Sequence, residues 1–212
     1  MKIDYNKIVI GIISILVIFI IVILSIKAFS IKEYSRKYFY MDTYINVKLY
    51  TNSKVLANKA FDEIDNIYKT YHNLTDKYTS YENGLYNLNN GSKKIDYKLY
   101  EMIKYGYDWY EKSNKLLNIA IGNVTDIWKT YRESESGVPS LNELKKVNID
   151  ISNIKINEED SSIILKNGIS IDLGAISKGY TTQVVGDYLK SIGITKYIIN
   201  AGGNVLVGDY YK

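Results

Sequence analysis

The chain of 212 residues contains no cysteine, and this absence excludes several kinds of site together. Disulfide bonds, zinc–thiolate centres, cysteine nucleophiles and lipid attachment to a cysteine all require a thiol. Histidine is nearly absent too, because His72 is the only one. Without a second imidazole to build a metal site, we expect His72 to cap the end of a helix.

The excess of positive over negative charge is also small. The 27 basic and 23 acidic residues give a net charge of +4, spread along the whole sequence. Nucleic-acid-binding domains concentrate basic residues on one face, so we expect no nucleic acid among the partners. Hydrophobic residues make up 46% of the chain, which is enough for a folded core and argues against global disorder.

One long apolar run lies near the N-terminus. Residues 8–26 read IVIGIISILVIFIIVILSI, nineteen residues without a charge. At about 1.5 Å per residue they nearly span a bilayer core of about 30 Å. We expect an uncleaved transmembrane signal anchor, with a cleaved signal peptide as the alternative. Basic residues on both sides of the run leave its orientation open.

The apolar run divides the chain into four predicted parts. Residues 1–7 form an N-terminal tail, residues 8–26 the anchor and residues 27–37 a basic juxtamembrane linker. Residues 38–212 form one folded domain, since the chain is long enough for one domain and an appendage.

Hydrophobic periodicity predicts the elements of the first half of this domain. Alternation of apolar and polar residues over 39–50 predicts one half-buried strand. Apolar stripes predict a helix that begins after a cap at residues 51–53 and ends near Tyr71, and a second helix over 96–117. A polar loop over 73–94 joins them.

The second half reads as short strands around one further helix. Residues 162–166 and 169–172 flank Asn167-Gly168, a pattern typical of a β-hairpin. A helix is predicted over 176–192, and two strands with a tight turn over 197–208. Long helices set apart from hairpins favour an α+β fold over a doubly wound sheet.

The main candidate site is the stretch IDLGAISKGY at residues 171–180. An apolar strand ends on Asp172, turns through Gly174 and opens a helix whose first turn carries Lys178. The positive helix end and the lysine favour an anion, while Asp172 can accept hydrogen bonds or help to hold a cation. Such a site suits a nucleotide diphosphate with a metal ion, and an ordinary strand-to-helix turn is the alternative. The Lys-Gly order does not match a P-loop.

Two other positions have a structural and a functional interpretation. Asn118 can bind a ligand or cap a turn, and the local pattern favours the cap. Met41 falls in the alternating strand, where a core side chain is the simpler interpretation.

Four sets of motifs, in this order along the chain, resemble the FAD:protein FMN transferase (ApbE) family. They cover nearly everything after the apolar run. The motifs are Met41-Asp42-Thr43, TDKYTS with LYNLN at residues 75–80 and 85–89, LNIAIGNV at 117–124 with Trp128, and IDLGAISKGY at 171–180 followed by NAGGN at 200–204.

The resemblance implies one ApbE-like, T-fold-like domain of antiparallel sheet and helices. It also implies a magnesium-dependent enzyme that cleaves FAD, attaches FMN through a phosphoester to a threonine or serine of a target flavoprotein and releases AMP. Implied acceptors are subunits of Rnf-type or sodium-pumping quinone reductase complexes. The implied location is the cell membrane, with a single pass and the catalytic domain outside the cytoplasm.

The resemblance also implies roles for particular residues. The metal contact, for Mg²⁺, falls on the main-chain carbonyl of Ala175. No catalytic residue is implied. The implied FAD contacts are Met41, Tyr78, Asn118, Ile119, Ala120, Asp172 and Lys178.

The chain departs from the family pattern at three single positions and at its end. Asp42 stands in place of a glycine, and Asn118 and Asn204 stand in place of aspartates. The family's later strands, with further magnesium ligands, have no counterpart before Lys212, so we expect a truncated domain. Two alternatives follow: a membrane-tethered flavin-binding module that is catalytically incomplete, and a FAD pyrophosphatase.

Overall fold

The computed structural model describes residues 5–209, with the side chains of 9–23 and 30–209. The predicted tail over 1–7 therefore lies largely outside the described residues. In chain order the elements are α1 (Tyr5–Phe29), β1 (Lys32–Tyr40), β2 (Thr43–Thr51), α2 (Lys54–Thr75), α3 (Leu85–Asn89), α4 (Tyr97–Lys112), α5 (Gly122–Ser134), α6 (Leu141–Leu144), a 3₁₀ turn (Ile151–Asn153), β3 (Ile154–Asn157), β4 (Ser162–Leu165), α7 (Ser177–Ser191), β5 (Tyr197–Ala201) and β6 (Asn204–Val207).

Helix α1 contains the predicted anchor, which extends beyond its described side chains at both ends. Those side chains, at residues 9–23, are exposed. Among the residues that the structure describes, no helix combines the length and the apolar character needed to cross a membrane.

Strands β1 and β2 form an antiparallel hairpin around Met41 and Asp42. Tyr40 pairs with Thr43, and both turn residues have positive φ, at 52° and 57°, which is the backbone of a two-residue type I′ turn. The prediction of one strand over 39–50 is therefore confirmed for residues 43–50, which belong to β2, and wrong at Met41 and Asp42, where the chain turns. The two members of a cross-strand pair lie on the same face of the sheet. The even-numbered residues of β1 and the odd-numbered residues of β2 therefore face inward.

The predicted linker over 27–37 is also wrong in part, because residues from Lys32 onward belong to β1. The cause is the tyrosines of this strand, which read as polar. Tyr38 is buried and its hydroxyl donates to the carbonyl of Phe61 at 2.7 Å. A phenol ring can join a core when its hydroxyl finds such a partner.

One core lies between the four-stranded antiparallel sheet, in the order β1-β2-β5-β6, and helices α2 and α7. The predicted strands over 197–208 are confirmed as β5 and β6. Helix α2 begins where the sequence predicts, since the Ser53 hydroxyl accepts a hydrogen bond from the Leu56 N–H at 3.2 Å. This is the usual bond of a helix N-cap.

A second core joins the buried faces of α2, α3 and α4 to the small β3–β4 sheet and to the loop before α7. The predicted hairpin of 162–166 with 169–172 is wrong, because β4 pairs with the preceding β3, from Ile154 opposite Leu165 to Asn157 opposite Ser162. Asn167 and Gly168 do turn with positive φ, but residues 169–172 after them form no strand. The architecture is α+β with antiparallel sheets, as predicted.

Candidate functional site

The stretch before α7 is held by bonds that take the place of a sheet partner. The side chain of Asn89 accepts from the Ile171 N–H and donates to the Ile171 carbonyl, both at 2.9 Å. The next residue, Asp172, donates its N–H to the Ile119 carbonyl at 2.9 Å. Because the end of α3 and the segment before α5 both bind this stretch, the position of Asp172 is defined by tertiary contacts.

Gly122, the first residue of α5, allows this close approach. Its N–H donates to the Ser170 carbonyl at 2.9 Å. A Cβ at this position would clash with the Ser170 hydroxyl oxygen and would lie 2.7 Å from the Ser170 carbonyl carbon and oxygen. A main-chain neighbour cannot rotate away, so this position requires glycine.

The carboxylate of Asp172 is held at both oxygens. Oδ1 accepts from the Gly174 N–H at 2.8 Å, and Oδ2 accepts from the Thr125 hydroxyl at 2.7 Å. The ammonium of Lys77 lies 3.8 Å from Oδ2. These contacts orient an acidic group at the end of the loop.

Lys77 is the least expected member of the site. Its side chain is only 7% exposed, and Nζ forms a 2.8 Å ion pair with Asp126. It also donates to the Gly122 carbonyl at 2.7 Å and to the Thr125 hydroxyl at 3.0 Å. Lys77 stands in a polar loop with no apolar periodicity, so the sequence carries no signal that this lysine is buried.

A pocket of about 330 Å³ opens between the β1–β2 turn, the end of α2 and the start of α7. Four of the residues that the motifs indicate as FAD contacts line it: Met41, Tyr78, Asp172 and Lys178. The full lining is Met41, Asp42, His72, Thr75, Asp76, Lys77, Tyr78, Asp172, Leu173, Gly174, Ser177 and Lys178. The turn, loop and helix start are far apart in the sequence and meet here.

His72 connects the β1–β2 turn to α2 at the wall of the pocket. Its Nδ1 accepts from the Met41 N–H at 3.3 Å, while its carbonyl accepts from the Asp76 N–H at 3.1 Å. The ring therefore does not cap α2, and the prediction of a side-chain cap was wrong. A ring nitrogen that accepts carries no proton, so this contact selects one tautomer of the imidazole.

Lys178 and Tyr78 present the groups best placed for a ligand. Lys178 has no ion-pair partner among the described residues, in contrast to Lys77. Tyr78 is 48% exposed, and the ammonium of Lys129 lies 4.6 Å from its ring centroid. Burial, assisted by the carboxylates of Asp126 and Asp172, raises the pKa of Tyr78 to about 12. The phenol is therefore neutral near pH 7.

The 118–120 segment lies outside the pocket lining. Asn118 accepts from the Ala120 N–H at 2.8 Å and donates to the Ile149 carbonyl at 2.9 Å, so its interpretation as a turn cap is confirmed. Ile119 and Ala120 are each 1% exposed. The segment supports Asp172 through the Ile119 carbonyl, and its contact with FAD stays a prediction.

The loop also contains oxygen donors suited to a hard cation. Ala175 is exposed and follows Gly174, which lines the pocket with Asp172. Within residues 5–209 no group of three acidic or histidine side chains is arranged to hold a metal ion. Mg²⁺ takes oxygen ligands and usually keeps several waters, so a carboxylate and a main-chain carbonyl fit part of its shell.

A sequence model of the ApbE family matches residues 41–211. The chain belongs to the ApbE family. The resemblance seen in the motifs is thereby confirmed. Family membership also makes sense of Asp42, which replaces a glycine in the pattern. Its φ of 57° lies in the left-handed region, which aspartate tolerates better than most residues.

Curated relatives of this ApbE-family chain carry the name FAD:protein FMN transferase. The protein from Klebsiella pneumoniae (strain 342) is 27% identical over 173 residues, which are 78% of this chain and 52% of that protein. The protein from Buchnera aphidicola is 31% identical over 120 residues, or 53% of this chain and 35% of that protein. The chain thus spans about half, or less, of the length of these relatives.

Solved ApbE structures have the same fold. The flavin transferase ApbE from Vibrio cholerae superimposes with a TM-score of 0.75 at 20% identity, over 85% of this chain and 60% of that one. The ApbE protein from Thermotoga maritima gives 0.73 at 20% identity, over 83% and 59%. At this identity the likeness shows the fold alone.

Proposed function

We propose that this chain is an FAD:protein FMN transferase, which moves FMN from FAD to a threonine or serine of a target flavoprotein. The observation that carries the proposal is the pocket, where Met41, Tyr78, Asp172 and Lys178 meet in a member of the ApbE family. In the reaction the acceptor hydroxyl oxygen bonds to the FMN phosphorus. The pyrophosphate P–O bond breaks, AMP leaves with the bridging oxygen, and the hydroxyl proton passes to the solvent.

The charges of the pocket support a pyrophosphate ligand. Lys178 lies in the first turn of α7, where the helix dipole also favours an anion. Since this ammonium has no carboxylate partner among the described residues, its charge is available to the ligand. The exposed ring of Tyr78 offers a stacking surface for one of the aromatic rings of FAD.

The same proposal includes Mg²⁺ held by the Asp172 carboxylate and the Ala175 carbonyl. When bound, the ion would neutralise charge on the pyrophosphate during phosphoryl transfer. The protein's own part is to orient Asp172 through Gly174 and Thr125 and to keep Lys178 directed to the pocket.

Covalent flavin on an acceptor tests the activity. The full chain is incubated with FAD, MgCl₂ and a flavoprotein subunit that carries the acceptor threonine, and in-gel flavin fluorescence is measured after denaturing electrophoresis. We expect a fluorescent acceptor band that requires magnesium. Lys178→Ala should lower its rate of appearance by about tenfold or more, as expected for a lost bond to a charged group. Lys190→Ala, in the last turn of the same helix, should not.

Two other outcomes would contradict the proposal. FAD that binds without magnesium and survives Lys178→Ala, with no fluorescent band, would indicate a flavin-binding module. Release of AMP and free FMN without a band would indicate a FAD pyrophosphatase. Acceptors from Rnf-type and quinone reductase complexes are the first to try, because the family resemblance points to them.

The location in the cell membrane, with the domain outside the cytoplasm, is a separate proposal that rests on the uncharged run over residues 8–26. The absence of cysteine makes it testable, since one introduced thiol is then the only one. Val138→Cys, at a position 71% exposed, should react with an impermeant maleimide in intact cells. Labelling only after permeabilisation would place the domain inside.

A further inference from the structure

The ammonium of Lys77 is saturated by the protein itself. It carries three protons, and three acceptors lie within hydrogen-bond distance: the Gly122 carbonyl at 2.7 Å, Asp126 Oδ1 at 2.8 Å and Thr125 Oγ1 at 3.0 Å. With 7% of its side chain exposed, Lys77 has no donor left for a ligand. Two lysines thus line one pocket, and only Lys178 is free to bind an anion there.

The contact with Thr125 sets the direction of a hydrogen-bond chain. An ammonium donates hydrogen bonds and never accepts them, so Thr125 Oγ1 accepts from Lys77. The Thr125 hydroxyl must then donate its own hydrogen bond to another acceptor. Asp172 Oδ2 lies 2.7 Å away and the Gly122 carbonyl 2.9 Å away. The carboxylate is the stronger acceptor of the two, and the Gly122 carbonyl already accepts a hydrogen bond from Lys77. The chain of donors therefore runs from Lys77 through Thr125 to Asp172.

We propose that Lys77 is a positioning residue, which fixes the Asp172 carboxylate in the pocket through the Thr125 hydroxyl. The Gly174 N–H holds Oδ1, and the Thr125 hydroxyl holds Oδ2. With one donor on each oxygen, rotation of the carboxylate breaks at least one bond. The link from this arrangement to flavin transfer rests on the proposed function.

A purely structural role for Lys77 makes a different prediction. If the ion pair with Asp126 only stabilises the fold, loss of Lys77 lowers stability and leaves the geometry and reactivity of Asp172 unchanged. Lys104 provides a control for the loss of an ion pair away from the candidate site. It forms a more exposed ion pair of 2.7 Å with Glu158, and both residues line a different pocket.

The test measures three variants at the pocket: Lys77→Met, Thr125→Val and the double variant that combines them. Lys104→Met is the control. We expect each single variant at the pocket to lower kcat/KM for FAD by about tenfold to a hundredfold, the range for a hydrogen bond to a charged group. The double variant should be only slightly slower than the slower single variant, because both act through the Thr125 contact and the other route from Lys77 to Asp172 is the long 3.8 Å approach of its ammonium to Oδ2. Thr125→Ser, which keeps the hydroxyl, should restore most of the rate, and Lys104→Met should match the wild type.

Crystal structures of the wild type and of Lys77→Met supply a readout without flavin. We expect the Asp172 carboxylate to leave Thr125 in the variant. The proposal is overturned if the Asp172 carboxylate keeps its 2.7 Å contact with Thr125, or if kcat/KM is unchanged. It is also overturned if the loss of kcat/KM in the double variant equals the product of the two single losses. A displaced Asp172 in a chain whose wild type transfers no flavin would support the role of Lys77 and reject the transferase activity.

Discussion

Replacement of Asn89 tests whether one side chain holds the loop that carries Asp172. The Asn89 amide bonds both main-chain groups of the buried Ile171, each at 2.9 Å. A typical bond contributes about 1 kcal/mol, and a buried group left without a partner costs about 1–3 kcal/mol. We therefore expect Asn89→Ala to lower the free energy of unfolding by about 2–4 kcal/mol.

An aspartate at the same position adds a pH dependence with a definite sign. Asp at residue 89 can accept from the Ile171 N–H, but its ionised oxygen repels the Ile171 carbonyl. The folded state therefore favours the protonated acid, whose folded pKa lies above the ordinary value of about 3.9. The loss of stability caused by Asn89→Asp is smallest below the unfolded pKa of about 3.9. It grows as the pH rises from there through the folded pKa.

Urea unfolding of the full chain, followed by circular dichroism at pH 7 and pH 4, measures both effects. With a slope of about 2 kcal/mol per molar urea, Asn89→Ala should lower the midpoint by about 1–2 M. Asn90→Ala is the control, because the exposed amide of Asn90 donates only to the Tyr86 carbonyl. The reasoning fails if both variants unfold at the same midpoint, or if the deficit of Asn89→Asp does not shrink at pH 4.

Three further predictions use the same unfolding assay. Gly122→Ala should cost about 1–3 kcal/mol, because its Cβ meets the Ser170 main chain; Gly179→Ala, with its nearest atom at 3.5 Å, should be neutral or stabilising. Ser53→Ala should cost about 1 kcal/mol through loss of the α2 cap. Burial raises the pKa of Tyr68 from 10 to about 12, so the stability that Tyr68 contributes is complete below pH 10 and is lost towards pH 12. Tyr68→Phe should show a smaller fall in midpoint over that range.

The starts of α2, α4 and α7 were predictable because their signals are local, whereas α3 and α5 were not predicted. The cap at Ser53 and an apolar stripe lie within α2 itself, and the same holds for α4, which begins after the capping side chain of Asp96. Strand β1 escaped prediction because Tyr38 is polar by type and buried in fact. Strand β3 escaped because four residues carry too little periodic signal.

The site was predictable only where a motif contains it. Asp172 and Lys178 stand in one short stretch, and the structure places both at the same pocket. Lys77 and Asn89 also stand in motif segments, but those segments do not indicate what the two side chains bind, because their partners lie 45 and 82 residues away in the sequence. No pattern of neighbours records such a contact.

The sequence by itself determined the α+β class, the starts of α2, α4 and α7, and the stretch of residues 171–180 as a helix start with a carboxylate and an ammonium group. Hydrophobic period, capping and turn preference are all properties of adjacent residues. Only the tertiary structure decided that the ammonium of Lys77 is bonded within the protein, while Lys178 lines the same pocket without an ion-pair partner among the described residues. Burial and hydrogen-bond partners arise when distant segments pack together. Two lysines at one pocket can therefore differ, one bonded within the protein and the other without an ion-pair partner among the described residues.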